Sequence, residues 1–257
     1  MPQLCVADTD NFYIPLPSLS EQERIVGILD TFTSSIENLK AQISLRRKQY
    51  EHYRDKLLDL EGKPGVAMKT LGEIGKCVAG ATPSTKKAEY WTDGDIPWMS
   101  SGEVHQKIVT ATASFITQKG YDNASTKMLP INTIVIALAG QGKTRGSVAI
   151  TAIKLCTNQS LCGVIINDAQ IINKFVYYYM LTRYLDLRRI SSGEGTRGGL
   201  NIKMISSYPI LLPSLQEQSR IVSILDEFEA SIKNLEAQLE AREKQYEYYR
   251  NKLLTFE

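Results

Sequence analysis

The sequence predicts an α+β protein: a mixed α/β central domain with several strands, flanked by two long helices that form an antiparallel coiled coil. Three observations predict it. Residues 14–58 return at residues 210–254 with a constant offset of 196, no gap, and 30 identities in 45 positions. Both copies space their apolar residues in alternating steps of four and three. Between Met68 and Tyr208 that period is lost, and short apolar runs bounded by Gly, Pro, Asn and Asp take its place.

The first copy places apolar residues at Ile25, Leu29, Phe32, Ile36, Leu39, Ile43, Tyr50, Tyr53, Leu57 and Leu60. The second gives Ile221, Leu225, Phe228, Ile232, Leu235, Leu239, Tyr246, Tyr249, Leu253 and Phe256. Both are heptad a/d patterns of a left-handed coiled coil, and each is interrupted once, at Arg46 and at Arg242. A polar residue repeated in one layer is either a register-setting device or a side chain that snorkels past the seam. Ser20 precedes Glu23 by three positions, which predicts a capping box for the first helix that the second copy, with Gln216 and Ser219, does not share. Glu61-Gly62-Lys63-Pro64-Gly65 ends the first helix, because Gly stops it and Pro cannot continue it. The boundaries read as a first helix over 21–62, a central domain over 66–208 and a second helix over 212–257. A wet seam on either helix is unfavourable, so each needs a partner. If the insert is compact, connectivity makes that partner the other helix, running antiparallel. Pairing between separate chains is the competing arrangement.

In the central domain, runs 133–139, 146–150 and 161–166 read as strands, and 173–190 reads as a helix. The stretch Ala137-Leu-Ala-Gly-Gln-Gly-Lys143-Thr144 spells A-x4-G-K-T after a strand, as a phosphate-binding loop would. Such a loop needs a helix N-terminus directly after it. Here Arg145-Gly146 and the alternating Ser147-Val148-Ala149-Ile150 predict a hairpin into another strand instead. A Gly-rich hairpin tip carrying Lys143 and Arg145 suits contact with a phosphate backbone or base edges.

Charge divides along the same boundaries. Residues 63–208 hold 17 Lys/Arg against 9 Asp/Glu, whereas 1–62 hold 7 against 10 and 209–257 hold 6 against 9. A basic centre between acidic arms suggests a polyanionic partner such as nucleic acid. The four cysteines form no CxxC pair and only His52 and His105 are present, so metal-ligand spacing is absent. No Ser/His/Asp or Cys/His arrangement stands out, and no G-x-G fingerprint or Asn/Asp-Pro-Pro-aromatic tetrad points to methyl transfer. The chain reads as non-catalytic. The N-terminus lacks a signal-peptide pattern and no apolar run approaches a membrane span, so a cytoplasmic location is expected.

Twin L-P-S-L-x-E-Q-x-R-I-V stretches (residues 16–26 and 212–222) open helices that close on K-Q-Y-E-x-Y-R-x-K-L-L. The insert contributes Leu71-Gly-Glu-Ile74, Gly80-Ala-Thr-Pro-Ser84, Glu89-Tyr-Trp91, Gly94-Asp-Ile-Pro-Trp98 and Asn158-Gln159. On these residues the chain resembles, over essentially its whole length, the specificity subunit of type I restriction-modification systems. The resemblance implies two target-recognition domains held apart by paired helices, each reading half of a split double-stranded DNA sequence. It also implies docking of methyltransferase subunits and a restriction/translocase subunit. S-adenosylmethionine, ATP and Mg belong to those partners, and no cofactor is expected in this chain. Here only one recognition domain lies between the helices, and residues 1–20 read as a remnant strand and cap. A homodimer or a complementing chain of the same type would restore the second domain. The candidate DNA contacts are Gln141, Lys143, Thr144 and Arg145 at the hairpin tip, Lys86 and Lys87 before Trp91, and Arg197 in a Gly-rich stretch. Trp91 and Trp98 are expected in the core. The competing reading is a coiled-coil assembly protein whose central domain binds another protein.

Overall fold

The computed structural model describes residues 13–140, 142–191 and 199–255. The chain forms two compact units, one of residues 1–51 with 227–257 and the other of residues 52–226.

Both repeats fold into single helices of 40 residues, α1 (Leu19–Leu58) and α7 (Leu215–Leu254), each about 60 Å long at roughly 1.5 Å per residue. They start identically. Ser18 Oγ accepts from the Glu21 amide and Ser214 Oγ from the Glu217 amide, both at 3.3 Å. Arg24 grips Glu21 with two hydrogen bonds of 2.8 and 2.6 Å, and Arg220 grips Glu217 at 2.7 and 2.6 Å. These contacts hold both carboxyls below the usual carboxylate range, chiefly through the Arg hydrogen bonds. The expected Ser20–Glu23 capping box is therefore corrected. The helix begins one turn-fraction earlier, at Leu19, where the Ser-x-x-Glu spacing is common to both copies. The first helix also stops at Leu58, short of Glu61; Gly62 and Gly65 adopt φ of 69° and 73° in the turns that follow.

Within the first unit the two arms pair in opposite directions. Contacts descend on α7 as they ascend on α1: Phe32 stacks on Tyr249 at 5.3 Å, Lys40 meets Glu243 at 3.0 Å, Arg47 meets Glu236 at 2.6 Å, and Tyr50 packs edge-on against Phe228 at 6.4 Å. Ile25, Ile36 and Ile43 are the buried seam residues of α1 in this unit. The interrupting arginines close on the opposite helix's phenylalanine. Arg46 lies 5.9 Å from the Phe228 ring and Arg242 lies 5.6 Å from Phe32, so each missing seam layer is a cation–π contact.

In the second unit, β1 (Ala67–Thr70) pairs antiparallel with β10 (Pro209–Leu212), Ala67 opposite Leu212. A single turn, α2 (Leu71–Ile74), capped by Thr70 and Glu73, leads into the main sheet. That sheet has the order β2 (Gly75–Ala79), β9 (Leu161–Ile166), β6 (Ile134–Ala137), β7 (Val148–Thr151) and β4 (Ile108–Val109). Its neighbours are antiparallel except β4, which runs parallel to β7. A smaller sheet holds β5 (Ser114–Ile116), β3 (Ile96–Met99) and β8 (Cys156–Thr157), and α3 (Gln118–Asn123) follows β5. All four residues of β6 and of β7 are buried; β6 accordingly reads as an unbroken apolar run, and in β7 the buried Thr151 hydroxyl donates to the Pro130 carbonyl at 2.9 Å.

The expected helix over 173–190 is two helices, α4 (Asn173–Thr182) and α5 (Tyr184–Ile190), broken at Arg183. Arg183 lies over the Tyr179 ring at 4.5 Å and donates to the Leu58 carbonyl at 3.4 Å, which caps the end of α1. On α4, Phe175, Val176, Tyr177, Tyr178 and Met180 are fully buried, and the helix packs on β6 and β7. The last short helix, α6 (Ile202–Ser206), precedes β10. Cys156 and Cys162 are buried; burial pushes the Cys156 thiol up to about 11, and the neighbouring Cys77 thiol together with burial raises that of Cys162.

The second cap is built into this unit. Gln218 is 2% exposed; its amide nitrogen donates to the Pro213 and Gln170 carbonyls at 3.0 and 3.2 Å, and its oxygen accepts from the Ile172 amide at 3.0 Å. Ile210, Leu212, Ile221 and Leu225 are buried around it, and Asp226 receives the Tyr178 hydroxyl at 2.6 Å and pairs with Lys174 at 2.7 Å. The first cap makes the matching Gln22–Pro17 bond at 2.8 Å, yet the residues around it are open. Tyr13 and Leu16 are 96% and 83% exposed, and Ile14, Leu19 and Val26 are exposed as well.

Candidate nucleic-acid interface

The A-x4-G-K-T stretch folds as the alternation demands. β6 and β7 pair antiparallel with Ile136 opposite Val148, and Ala137 exchanges backbone hydrogen bonds of 2.9 Å with Gly146 and Ser147. Strand, not helix, follows Lys143, so the phosphate cradle of a nucleotide-binding loop is not formed. The connection instead turns through Gly140, Gly142 and Gly146 at φ of 134°, 66° and 82°, a region that L side chains rarely adopt.

One helix supports this tip. Arg188 Nη1 of α5 donates to the Gly142 carbonyl at 2.8 Å and lies 3.3 Å from the Arg145 carbonyl. The Tyr184 hydroxyl donates to the Lys143 carbonyl at 3.0 Å, and Ser147 Oγ donates to the same oxygen at 2.9 Å. Lys143 is exposed and Thr144 half-buried. Arg145 departs from the expectation of an outward tip residue, being only 7% exposed. It is drawn inward because its carbonyl is fixed on α5 and Gly146 packs directly on that helix. Arg145→Ala would therefore disturb the melt as well as any contact. Gln141 and Arg197 lie outside the described residues.

Lys86 and Lys87 belong to a separate cluster. Both are exposed, but Lys87 Nζ donates to the hydroxyl of buried Tyr90 at 2.9 Å and lies 5.0 Å from its ring; that hydrogen bond raises the lysine above its ordinary range. Trp91 and Trp98 pack edge to face at 5.1 Å. Their indole nitrogens donate to the carbonyls of Ser84 (3.2 Å) and Ala81 (3.0 Å), so both hold the loop rather than offer a free stacking face. Thr82 donates to Gln159 at 2.6 Å, which brings together the two loop stretches singled out in the sequence.

Sequence reasoning did not find four residues at the hairpin. Tyr184 and Arg188 were legible as an i, i+4 pair on a helix, but nothing local says what they meet. His105 and Lys107, with Gly146, Ser147, Leu181 and Tyr184, line a cavity of about 350 Å³ beside the hairpin. Lys107 holds a left-handed φ of 63°, uncommon for a lysine, and its carbonyl accepts from the Ile150 amide at 2.8 Å. Among the described residues no group of His, Cys, Asp or Glu could hold a metal ion. None of their helices is long and apolar enough to cross a membrane.

Known proteins share this chain's sequence pattern and fold. The sequence model of the family described as type I restriction modification DNA specificity domain matches residues 1–46 and 64–242. The type I restriction enzyme EcoR124I/EcoR124II specificity subunit of Escherichia coli is 38% identical over 250 residues, covering 94% of this chain and 61% of that protein. The MjaIX specificity subunit of Methanocaldococcus jannaschii is 32% identical over 196 residues, 74% of this chain and 44% of that one. This chain thus spans about three fifths of the first relative's length. Among solved structures, the S subunit of a type I system from M. genitalium superposes with a TM-score of 0.63 at 18% identity, over 93% of this chain and 62% of that one. The HsdS subunit from Thermoanaerobacter tengcongensis gives 0.61 at 20%, over 98% and 63%. At these identities the two structures establish a shared fold.

Proposed function

We propose, given that the chain belongs to the family of type I restriction-modification DNA specificity domains, that its central domain reads one half of a split DNA target. The chain does no chemistry on the DNA. Its helices and caps dock a methyltransferase subunit and a restriction/translocase subunit in the cytoplasm, and those partners use S-adenosylmethionine, ATP and Mg. The observation that carries the DNA reading is the glycine hairpin between β6 and β7, which offers an exposed Lys143 from a domain with 17 basic and 9 acidic residues. Phosphate contacts position such a domain, and neighbouring side chains then reach base edges.

The test is a salt titration of duplex DNA binding with random-sequence competitor. Lys143→Ala is expected to weaken binding to all sequences alike and to lower the slope of log K against log salt by about one. Unaltered affinity at low salt would remove the hairpin from the interface. No binding by the unmodified chain at low salt would favour the coiled-coil assembly reading.

The other half of the target requires a second recognition domain. The first cap supports this: Ile14 and Leu16 are exposed while their repeat equivalents Ile210 and Leu212 are buried. In cells that carry the partner subunits, mapped methylation is expected at a gapped sequence. An uninterrupted target would overturn the two-domain reading.

A further inference from the structure

We propose that Arg188 and Tyr184 are positioning residues that shape the β6–β7 hairpin for a phosphate backbone; this rests on the reading of that hairpin as a DNA contact. A loop with three glycines at positive φ loses more conformational freedom on ordering than any other composition would. Left to itself it would sample many shapes and hold Lys143 in none. Two side chains one helical turn apart remove that freedom. Arg188 Nη1 reaches the carbonyls of Gly142 and Arg145 at 2.8 and 3.3 Å, and Tyr184 Oη reaches that of Lys143 at 3.0 Å. They also brace each other, with Nη1 3.3 Å from Oη and the guanidinium 5.5 Å from the ring. A Cβ built on Gly146 would lie 3.3–3.4 Å from atoms of Tyr184, Arg188 and Leu187, so the hairpin rests directly on α5.

The electrostatic consequence favours a polyanion. A peptide carbonyl turned outward presents its negative end to an approaching phosphate. Here three consecutive-region carbonyls are engaged by donors from beneath, which leaves exposed Lys143 as the outward group. Among the described residues no carboxylate lies within ion-pair distance of Arg188, so its charge adds to the field under the tip rather than being neutralised. Arg188 thus acts through the loop it holds.

A double-mutant cycle on the full chain, read by binding to a mixed-sequence DNA duplex at low salt, tests this. Arg188→Met is expected to weaken binding about tenfold in the otherwise unmodified chain, and by less than about twofold when Lys143→Ala is already present. Tyr184→Phe removes one donor and keeps the ring; about threefold weakening is expected with an unchanged melt, which covers the case of an unstable Arg188→Met. Amide hydrogen exchange across 142–147 should quicken in Arg188→Met while β9 stays protected. Equal losses in both backgrounds would make Arg188 a DNA contact itself and overturn the proposal. Unchanged exchange across 142–147 would overturn it alone. Lys143→Ala without effect on binding would remove the DNA reading of the hairpin, and the proposal with it.

Discussion

Gln218→Ala is expected to lower the free energy of unfolding by about 2–4 kcal/mol, and Gln22→Ala by less than about 1 kcal/mol, although the two glutamines occupy the same position of the repeat. Gln218 is nearly inaccessible, and all three of its amide hydrogen bonds tie the start of α7 to the loop before α4, through Gln170 and Ile172, or to its own entry strand, through Pro213. Alanine would leave the Ile172 amide and the Gln170 and Pro213 carbonyls without that partner, in a place water enters poorly, and would open a small void. Among the described residues the Gln22 side chain bonds only to the Pro17 carbonyl, on a surface where water can replace it. Urea unfolding of both variants, read by far-ultraviolet circular dichroism, gives the comparison. Equal losses would show that the second cap owes nothing to its tertiary setting.

Gly80→Ala is expected to cost about 3 kcal/mol. A Cβ at that position would stand 2.0 Å from the Thr157 carbonyl oxygen and 2.4 Å from its carbon. That oxygen cannot retreat cheaply, because it accepts from the Ala81 amide at 2.9 Å and from Thr126 Oγ1 at 3.2 Å, and β8 is held by β3. Ala81 in turn anchors the Trp98 indole, so the displacement would reach the tryptophan pair and show as a change in fluorescence alongside a lower melting temperature. A melt within one degree or so of the unmodified chain would refute the close crossing of the 80–81 segment over β8.

The seamed helices α1 and α7, and the hairpin where a nucleotide loop was spelled, were legible because each depends on local chemistry; the antiparallel direction of the pair followed from connectivity only if the insert was compact. The heptad repeat buries one stripe whatever surrounds it, and its constant offset makes the two arms equivalent. Ser147-Val148-Ala149-Ile150 alternates, and alternation suits a strand and not a helix. The runs 133–139 and 161–166 were legible for a different reason, as short unbroken apolar stretches bounded by turn residues; with 146–150 they fold as strands over 134–137, 148–151 and, unshifted, 161–166.

What the residues by themselves determined is therefore the periodic part: two long seamed helices, the buried strands between them, the turn at the glycines and the basic balance of the centre. Tertiary structure decided everything that rests on residues far apart in the chain. It broke 173–190 at Arg183, whose guanidinium reaches the end of α1 as well as Tyr179 and Asp186 on either side of the break. It drew Arg145 inward, placed Arg188 under a loop more than forty residues away, and buried Gln218 while leaving Gln22 beside water. Period and turn chemistry act over a few bonds and are written in order along the sequence. Which side chain meets which distant carbonyl is set only when the sheets and helices pack, because that packing alone determines where water is excluded.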